Sequence, residues 1–262
     1  LFVMGFMLLA YLADAIKKHT LGRWTKATAC FAVGGLLGIA INMSNLYHTW
    51  EYSKESMRGK SELTQKTKNP ADQTSSGLER SYITMWSYGL GETWTLLVPN
   101  TKGGASMPLA ASKTAMEHAN ANYSPIYQAF TQYWGEQPGT SGPVYVGAFV
   151  LMLFILGLFI VRGPMKWCLL AATILSILLS WGKNFMGFTD FFLDYVPMYD
   201  KFRTVASILV IAEFTIPLLA MLALKKLVED PACLEGKSER RHFPRKHNLT
   251  LSFALTGGVA LL

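Results

Sequence analysis

Six long apolar runs, separated by polar and basic stretches, constrain this chain more than any other feature. They fall at residues 1–15, 24–46, 144–161, 165–181, 204–224 and 249–262. Crossing ~30 Å of hydrocarbon takes about 20 apolar residues in a helix. Only helices and closed barrels can satisfy every backbone N–H and C=O there. The pattern predicts an all-α fold, a polytopic transmembrane helix bundle of about six spans. Composition agrees. Hydrophobic residues make up 51% of the chain and charged residues 16%, where a soluble domain carries about 25% charged. Both ends lie inside apolar runs and no signal peptide is visible. The expectation is therefore a piece of a longer protein.

The net charge of +7 reads as topogenic, and no nucleic-acid partner is expected. Basic residues concentrate in alternate connections. Lys17, Lys18, Arg23 and Lys26 follow the first run, and Arg162 and Lys166 flank Gly163-Pro164 between the third and fourth. Lys225, Lys226, Lys237, Arg240, Arg241, Arg245 and Lys246 follow the fifth. The positive-inside rule places these loops in the cytoplasm. The predicted organisation is then two spans in 1–47 and a long extracytoplasmic loop in 48–142. Spans three to five follow in 143–224, a basic cytoplasmic loop in 225–248, and the start of a sixth span in 249–262.

The long outer loop divides in two. Residues 51–79 are polar and read as a helix end followed by a mobile loop. From Ser81 the chain becomes aromatic, with Tyr82, Trp86, Tyr88 and Trp94. The apolar run at 93–100 is too short to span and reads as interfacial or re-entrant. Tyr123, Tyr127, Phe130, Tyr133 and Trp134 have approximate helical spacing and predict a surface helix before the third span.

Four constellations could carry chemistry. His48 and Glu51, with Arg58 nearby, share a face at the outer end of span two. They suit a proton relay or one side of an ion site, and equally a solvated helix end. Asp190, Asp194, Lys201 and Arg203 alternate with aromatics in the loop before span five. Cations at a helix entrance can clamp a phosphate, and an interfacial anchor belt is a compatible reading. Glu213 lies inside span five, where a carboxylate is costly and marks function by default. Gly91-Glu92, Pro99-Asn100 and Gly103-Gly104 could shape a loop closing an outward cavity, or serve as turns. The three cysteines, Cys30, Cys168 and Cys233, lack metal-ligand spacing. No Gly-rich phosphate loop, H-E-x-x-H or G-x-S-x-G motif occurs.

The run Ser87-Tyr88, Glu92, Leu96-Leu97-Val98-Pro99-Asn100 and Gly103-Gly104 resembles the outer-loop pattern of YfhO-family bacterial membrane proteins. So do Tyr145-Val146-Gly147 and Val196-Pro197-Met198-Tyr199-Asp200-Lys201-Phe202-Arg203. The likeness covers roughly residues 1 to 224. It implies a fold and activity like those of GT-C glycosyltransferases, which move a sugar from a polyprenyl-phosphate donor to an envelope polymer or lipid on the outer face. On that resemblance, Lys201 and Arg203 would hold the lipid-linked phosphate. Glu92, Glu51, Arg58, Asp190 and Asp194 would help bind or position substrate, with a divalent metal ion as the one candidate cofactor. The catalytic acid of such enzymes lies in the first outer loop and is expected outside this chain. A transporter or flippase of lipid-linked precursors, coupled through Glu213, is the competing expectation. A non-catalytic assembly subunit that docks through the long loop is a third.

Overall fold

The computed structural model describes residues 2–56, 74, 78–230 and 245–260. Arg58, most of the polar stretch before Leu78 and most of the basic loop after Asp230 lie outside the described residues. Along the chain, α1 spans Phe2–Lys17, α2 Leu21–Ile41, α3 Met43–Lys54 and α4 Arg80–Ile83. A 3-10 turn at Gly91–Leu96 leads to strand β1, Gly103–Pro108. Short helices α5, Lys113–Glu117, and α6, Ser124–Ala129, precede β2, Thr131–Tyr133. Then come α7, Ala148–Ile160; α8, Met165–Ser180; α9, Met186–Tyr195; α10, Val210–Glu229; and α11, Arg245–Ala260.

Helix predominates, as the apolar runs require. The departure from an all-α fold is the antiparallel pair β1–β2, in register Gly103 to Tyr133 and Pro108 to Thr131 with a bulge between. Gly103 explains its position. Its φ is +82°, and a Cβ there would lie 1.8 Å from the carbonyl oxygen of Gln132. Only glycine admits that approach. The predicted aromatic surface helix is interrupted for the same reason. It ends at Ala129, and Tyr133 is drawn into the strand.

α10 is the centre of the helical part, packed on both α7 and α8. α1 packs on α8, and α11 on α7. Leu156, Leu169, Ile216 and Leu219 are almost wholly enclosed at these contacts. At Gly157 the α7 backbone comes so near α10 that a Cβ would sit 3.0 Å from Leu219, the small-residue packing typical of membrane helices. The hydroxyls of Thr173 and Thr215 join α8 to α10 at 2.7 Å.

Among the described residues two helices are long and apolar enough to cross a membrane, Leu21–Ile41 and the continuous Val205–Glu229. The bent pair formed by α8 and α9 makes a third if counted as one span. The count is lower than the six apolar runs predicted, because α1 and α8 have 16 residues each and α7 has 13, short of the ~20 that a crossing takes. The third run starts in extended chain, where Val146 N–H donates to the carbonyl of Leu96. Gly147, with φ +105°, then delays α7 to 13 residues, about 20 Å of helix. No residue of α2 is buried.

One buried group near the helix ends is poorly served. The hydroxyl of Tyr199 has no hydrogen-bond partner among the described residues, and burial pushes its phenol up to about 12. An unfolded tyrosine ionises near pH ~10, so the folded state holds its proton longer. Stability from this group is complete below that pH and is lost as pH rises from there to about 12. Tyr199→Phe should flatten that alkaline decline. It should also raise stability by about 1 kcal/mol near neutrality, because it removes an unsatisfied buried hydroxyl. Thermal melts at neutral and alkaline pH check both effects. A loss of stability in the phenylalanine variant would contradict this account of the hydroxyl.

Candidate functional site

The site forms where the aromatic segment that begins at Ser81 is tied to the corner between α8 and α9 and to the start of the continuous helix Val205–Glu229. α8 ends at Ser180, and Gly182, with φ +45°, lets the chain turn. α9 leaves at 107° to α8. Tyr88 N–H donates to the Ser180 carbonyl at 2.8 Å, and Lys183 N–H to the Ser87 hydroxyl at 2.9 Å. The Asn184 side-chain amide donates to the Tyr88 carbonyl at 3.0 Å, and the Trp181 indole to Thr93 at 2.8 Å. From the other side, Thr204 N–H reaches the Ile83 carbonyl and Ala206 N–H the Trp86 carbonyl. Backbone groups that would otherwise be orphaned are thereby satisfied, and the segment is fixed from two directions.

Between this segment and the β-pair lies a cavity of about 290 Å³, lined by Trp86, Tyr88, Glu92, Thr95, Lys102, Tyr133, Thr140, Ser141, Val144 and Ser207 among others. Glu92 is its chemical centre. It is only 2% exposed. Its Oε2 accepts from Gly89 N–H at 2.5 Å and its Oε1 from the Tyr133 hydroxyl. That hydroxyl in turn accepts from Gln137 N–H at 2.9 Å. Burial, and then the bond to Glu92, hold the Tyr133 phenol well above its ordinary range, so it stays a donor. Tyr88 is also raised, first by burial and further by the nearby Glu92 and Glu213 carboxylates. Its hydroxyl is bonded to Thr95.

Glycines make room for these groups. A Cβ on Gly135 would lie 2.1 Å from both Glu92 Oε1 and the Tyr133 oxygen. A Cβ on Gly89 would lie 3.0 Å from Glu92 Oε2 and 3.1 Å from Glu136 Oε1. The Glu92 and Glu136 carboxylates therefore flank the same glycine. Lys102 lines the same cavity, and the Lys183 ammonium donates to the Glu136 carbonyl at 3.4 Å.

The residues singled out from sequence are distributed unevenly. Glu92 is in the cavity. Arg203 stands beside it: its guanidinium donates to the Tyr82 hydroxyl at 2.6 Å and lies over the Tyr82 and Trp86 rings at 5.5 and 5.2 Å. Lys201 is turned toward the buried Asp200, at 3.8 Å. Asp190 and Asp194 are engaged together by Arg80, which bonds Asp190 through one guanidinium nitrogen and Asp194 through the other at 2.5 Å. Burial opposes the charge on Arg80, but the two carboxylates outweigh it and raise its pKa. Glu51 is exposed and paired with Lys54 of its own helix at 3.2 Å, and His48 packs edge-on against Tyr47. Neither lines the cavity. Glu213 is exposed on α10, and among the described residues no hydrogen bond or ion pair engages it.

Among the described residues no group of three or more His, Cys, Asp or Glu side chains could hold a metal ion. Asp190 and Asp194, expected to help position substrate, are both bonded to Arg80. Arg80, Lys102, Tyr133 and Glu136 are absent from the sequence-based selection. Gly103-Gly104 marks the place of Lys102, and the aromatic patch contains Tyr133, but nothing in the spacing pairs Tyr133 with Glu92 across about 40 residues. Comparison with protein-family models, curated proteins and solved structures returns no match.

Proposed function

We propose that this chain is part of a GT-C-like membrane glycosyltransferase of the bacterial cytoplasmic membrane, related to the YfhO family, that uses a polyprenyl-phosphate-linked sugar at the outer face. The observation that carries this reading is the enclosed carboxylate of Glu92 in a hydroxyl- and aromatic-rich cavity at the end of the helices opposite the basic turns. Arg162 and Lys166 mark one end, and the cavity marks the other. By the positive-inside rule the cavity faces outward. Trp86 offers a ring face, and Thr140, Ser141 and Ser207 offer hydroxyls, which together suit a sugar. Arg203 at the rim suits the donor phosphate.

In this reading the acceptor hydroxyl oxygen bonds to the anomeric carbon as the bond from that carbon to the phosphate oxygen breaks. The electron pair leaves with the lipid phosphate, whose charge Arg203 meets. The hydroxyl proton goes to a carboxylate, and Glu92 is the one in the cavity wall placed to take it. Arg203→Ala should lower transfer by about 10²-fold, since it removes a charge partner of the leaving group. Lys201→Ala should cost less, because Lys201 is turned toward Asp200. Sugar transfer from a panel of polyprenyl-phosphate sugars, with the variants inserted to wild-type levels, measures both. Equal activity of Arg203→Ala and wild type would remove Arg203 from the role.

Glu213 favours a second reading, a transporter or flippase of lipid-linked precursors. It is a carboxylate inside a span and in electrostatic contact with Tyr88 of the cavity wall. That reading predicts proton-coupled lipid translocation abolished by Glu213→Gln, and no sugar transfer.

A further inference from the structure

α9 and the turn after it carry a surface that the proposed chemistry does not use. One face of α9 is enclosed: Thr189, Phe192 and Leu193 are buried, the last against Leu78, Ile83 and Val205. The opposite face, continued past the helix end, exposes Phe191, Tyr195, Met198 and Phe202, each more than half accessible. Apolar helix faces bearing Phe bury at the boundary of headgroup and acyl chain, and Tyr collects at headgroup depth. Asp190 and Asp194 lie beside that apolar face and would resist leaving water. Arg80, from the outer loop, engages both of them.

The direction of α9 identifies what covers the face. α8 is one limb of a pair that is long and apolar enough to cross a membrane, and α9 turns away from it by 107°. If α8 runs across the bilayer, α9 runs nearly in its plane, at the level where α8 emerges. We propose that α9 is an in-plane helix whose aromatic face inserts into the outer-leaflet interface, and that Arg80 eases this by pairing with both Asp190 and Asp194 and cancelling one of their two negative charges. The outer loop then sets the depth of α9, and through Gly182 the height of the cavity above the lipid. The occupant is the bilayer interface, whatever reaction the cavity performs.

Nitroxide labels on Gly187→Cys, Phe191→Cys and Tyr195→Cys, placed four residues apart along the exposed stripe, test this directly. The protein would carry Cys30, Cys168 and Cys233 as alanine and be reconstituted in phosphatidylcholine–phosphatidylglycerol vesicles. Power saturation by oxygen and by a water-soluble nickel chelate reports the depth of each label. An in-plane helix gives three equal depths near the boundary of headgroup and acyl chain. A helix that continues into the bilayer gives depths differing by ~12 Å between the first and third labels, and a helix in water gives free nickel access at all three. Either of those results overturns the proposal. In the Phe191→Cys background, Arg80→Ala should raise nickel access several-fold, and adding Asp190→Asn with Asp194→Asn should return it to the starting value. Unchanged depth in Arg80→Ala would overturn the role of Arg80. Should that variant fail to insert, the wild-type depth series and the neutral triple variant still decide.

Discussion

Replacing Glu92 with glutamine should reduce sugar transfer by about 10²–10⁴-fold, the range contributed by a positioned acid–base group, while leaving the segment around it folded. The two effects separate because of how the carboxylate is held. Glutamine keeps a carbonyl oxygen for Gly89 N–H. Its amide can donate to the Tyr133 oxygen, which can accept where before it donated. The packing around Gly135 changes little, since the two side chains have the same shape. A carboxamide cannot take the acceptor's proton. Glu92→Leu should behave differently. It strands the Gly89 N–H, which costs about 1–3 kcal/mol when buried without a partner, and removes the acceptor of the Tyr133 O–H, which keeps only Gln137 N–H, so it should lower thermal stability as well as activity. The paired measurement is transfer rate beside melting temperature. A glutamine variant with wild-type transfer would show that the proton goes elsewhere.

Gly182→Ala should release residues 78–143 from the corner between α8 and α9. With φ at +45°, a Cβ would meet the Ser87 oxygen at 2.2 Å and Val205 at 2.5 Å. The backbone conformation alone costs an L-residue about 1 kcal/mol, and overpacking adds ~1–3 kcal/mol. Relief requires Ser87 to move, and Ser87 holds the Lys183 N–H. The expected result is a loss of about 2–4 kcal/mol in the docking of residues 78–143, read as faster proteolysis of that segment in detergent. Gly187→Ala is the matched control. It lies in the first turn of α9 with nothing within 4 Å of the added Cβ, and should be neutral or slightly stabilising. Equal proteolysis of the two variants would show that Gly182 does not govern the docking.

The helical character of the chain was legible from its apolar runs, and Gly91-Glu92 and Gly103-Gly104 were visible as positions that could shape a loop or a turn. The number of spans was not. Hydropathy sees that residues 144–161 are apolar but not that Gly147 keeps the first of them extended beneath Leu96. The composition of the loop before span five was equally visible, but its pairing was not. Asp190 and Asp194 looked available for a ligand because their partner, Arg80, is about 110 residues away. The same holds for Tyr133, whose spacing in an aromatic series suggests one helix face, whereas the close approach allowed by Gly103 places it in a strand facing Glu92. Local pattern fixes which residues are apolar. Long-range contacts made through glycines without room for a Cβ decide which polar groups meet.

The proposed action of the Glu92 cavity is transfer of a lipid-linked sugar. It is tested most directly by incubating the full-length protein, reconstituted in vesicles, with a panel of polyprenyl-phosphate sugars and following the release or transfer of radiolabelled sugar. The prediction is turnover of at least one donor, lost in Glu92→Gln and strongly reduced in Arg203→Ala. Turnover that survives Glu92→Gln undiminished, or translocation of intact donor without cleavage, would contradict it.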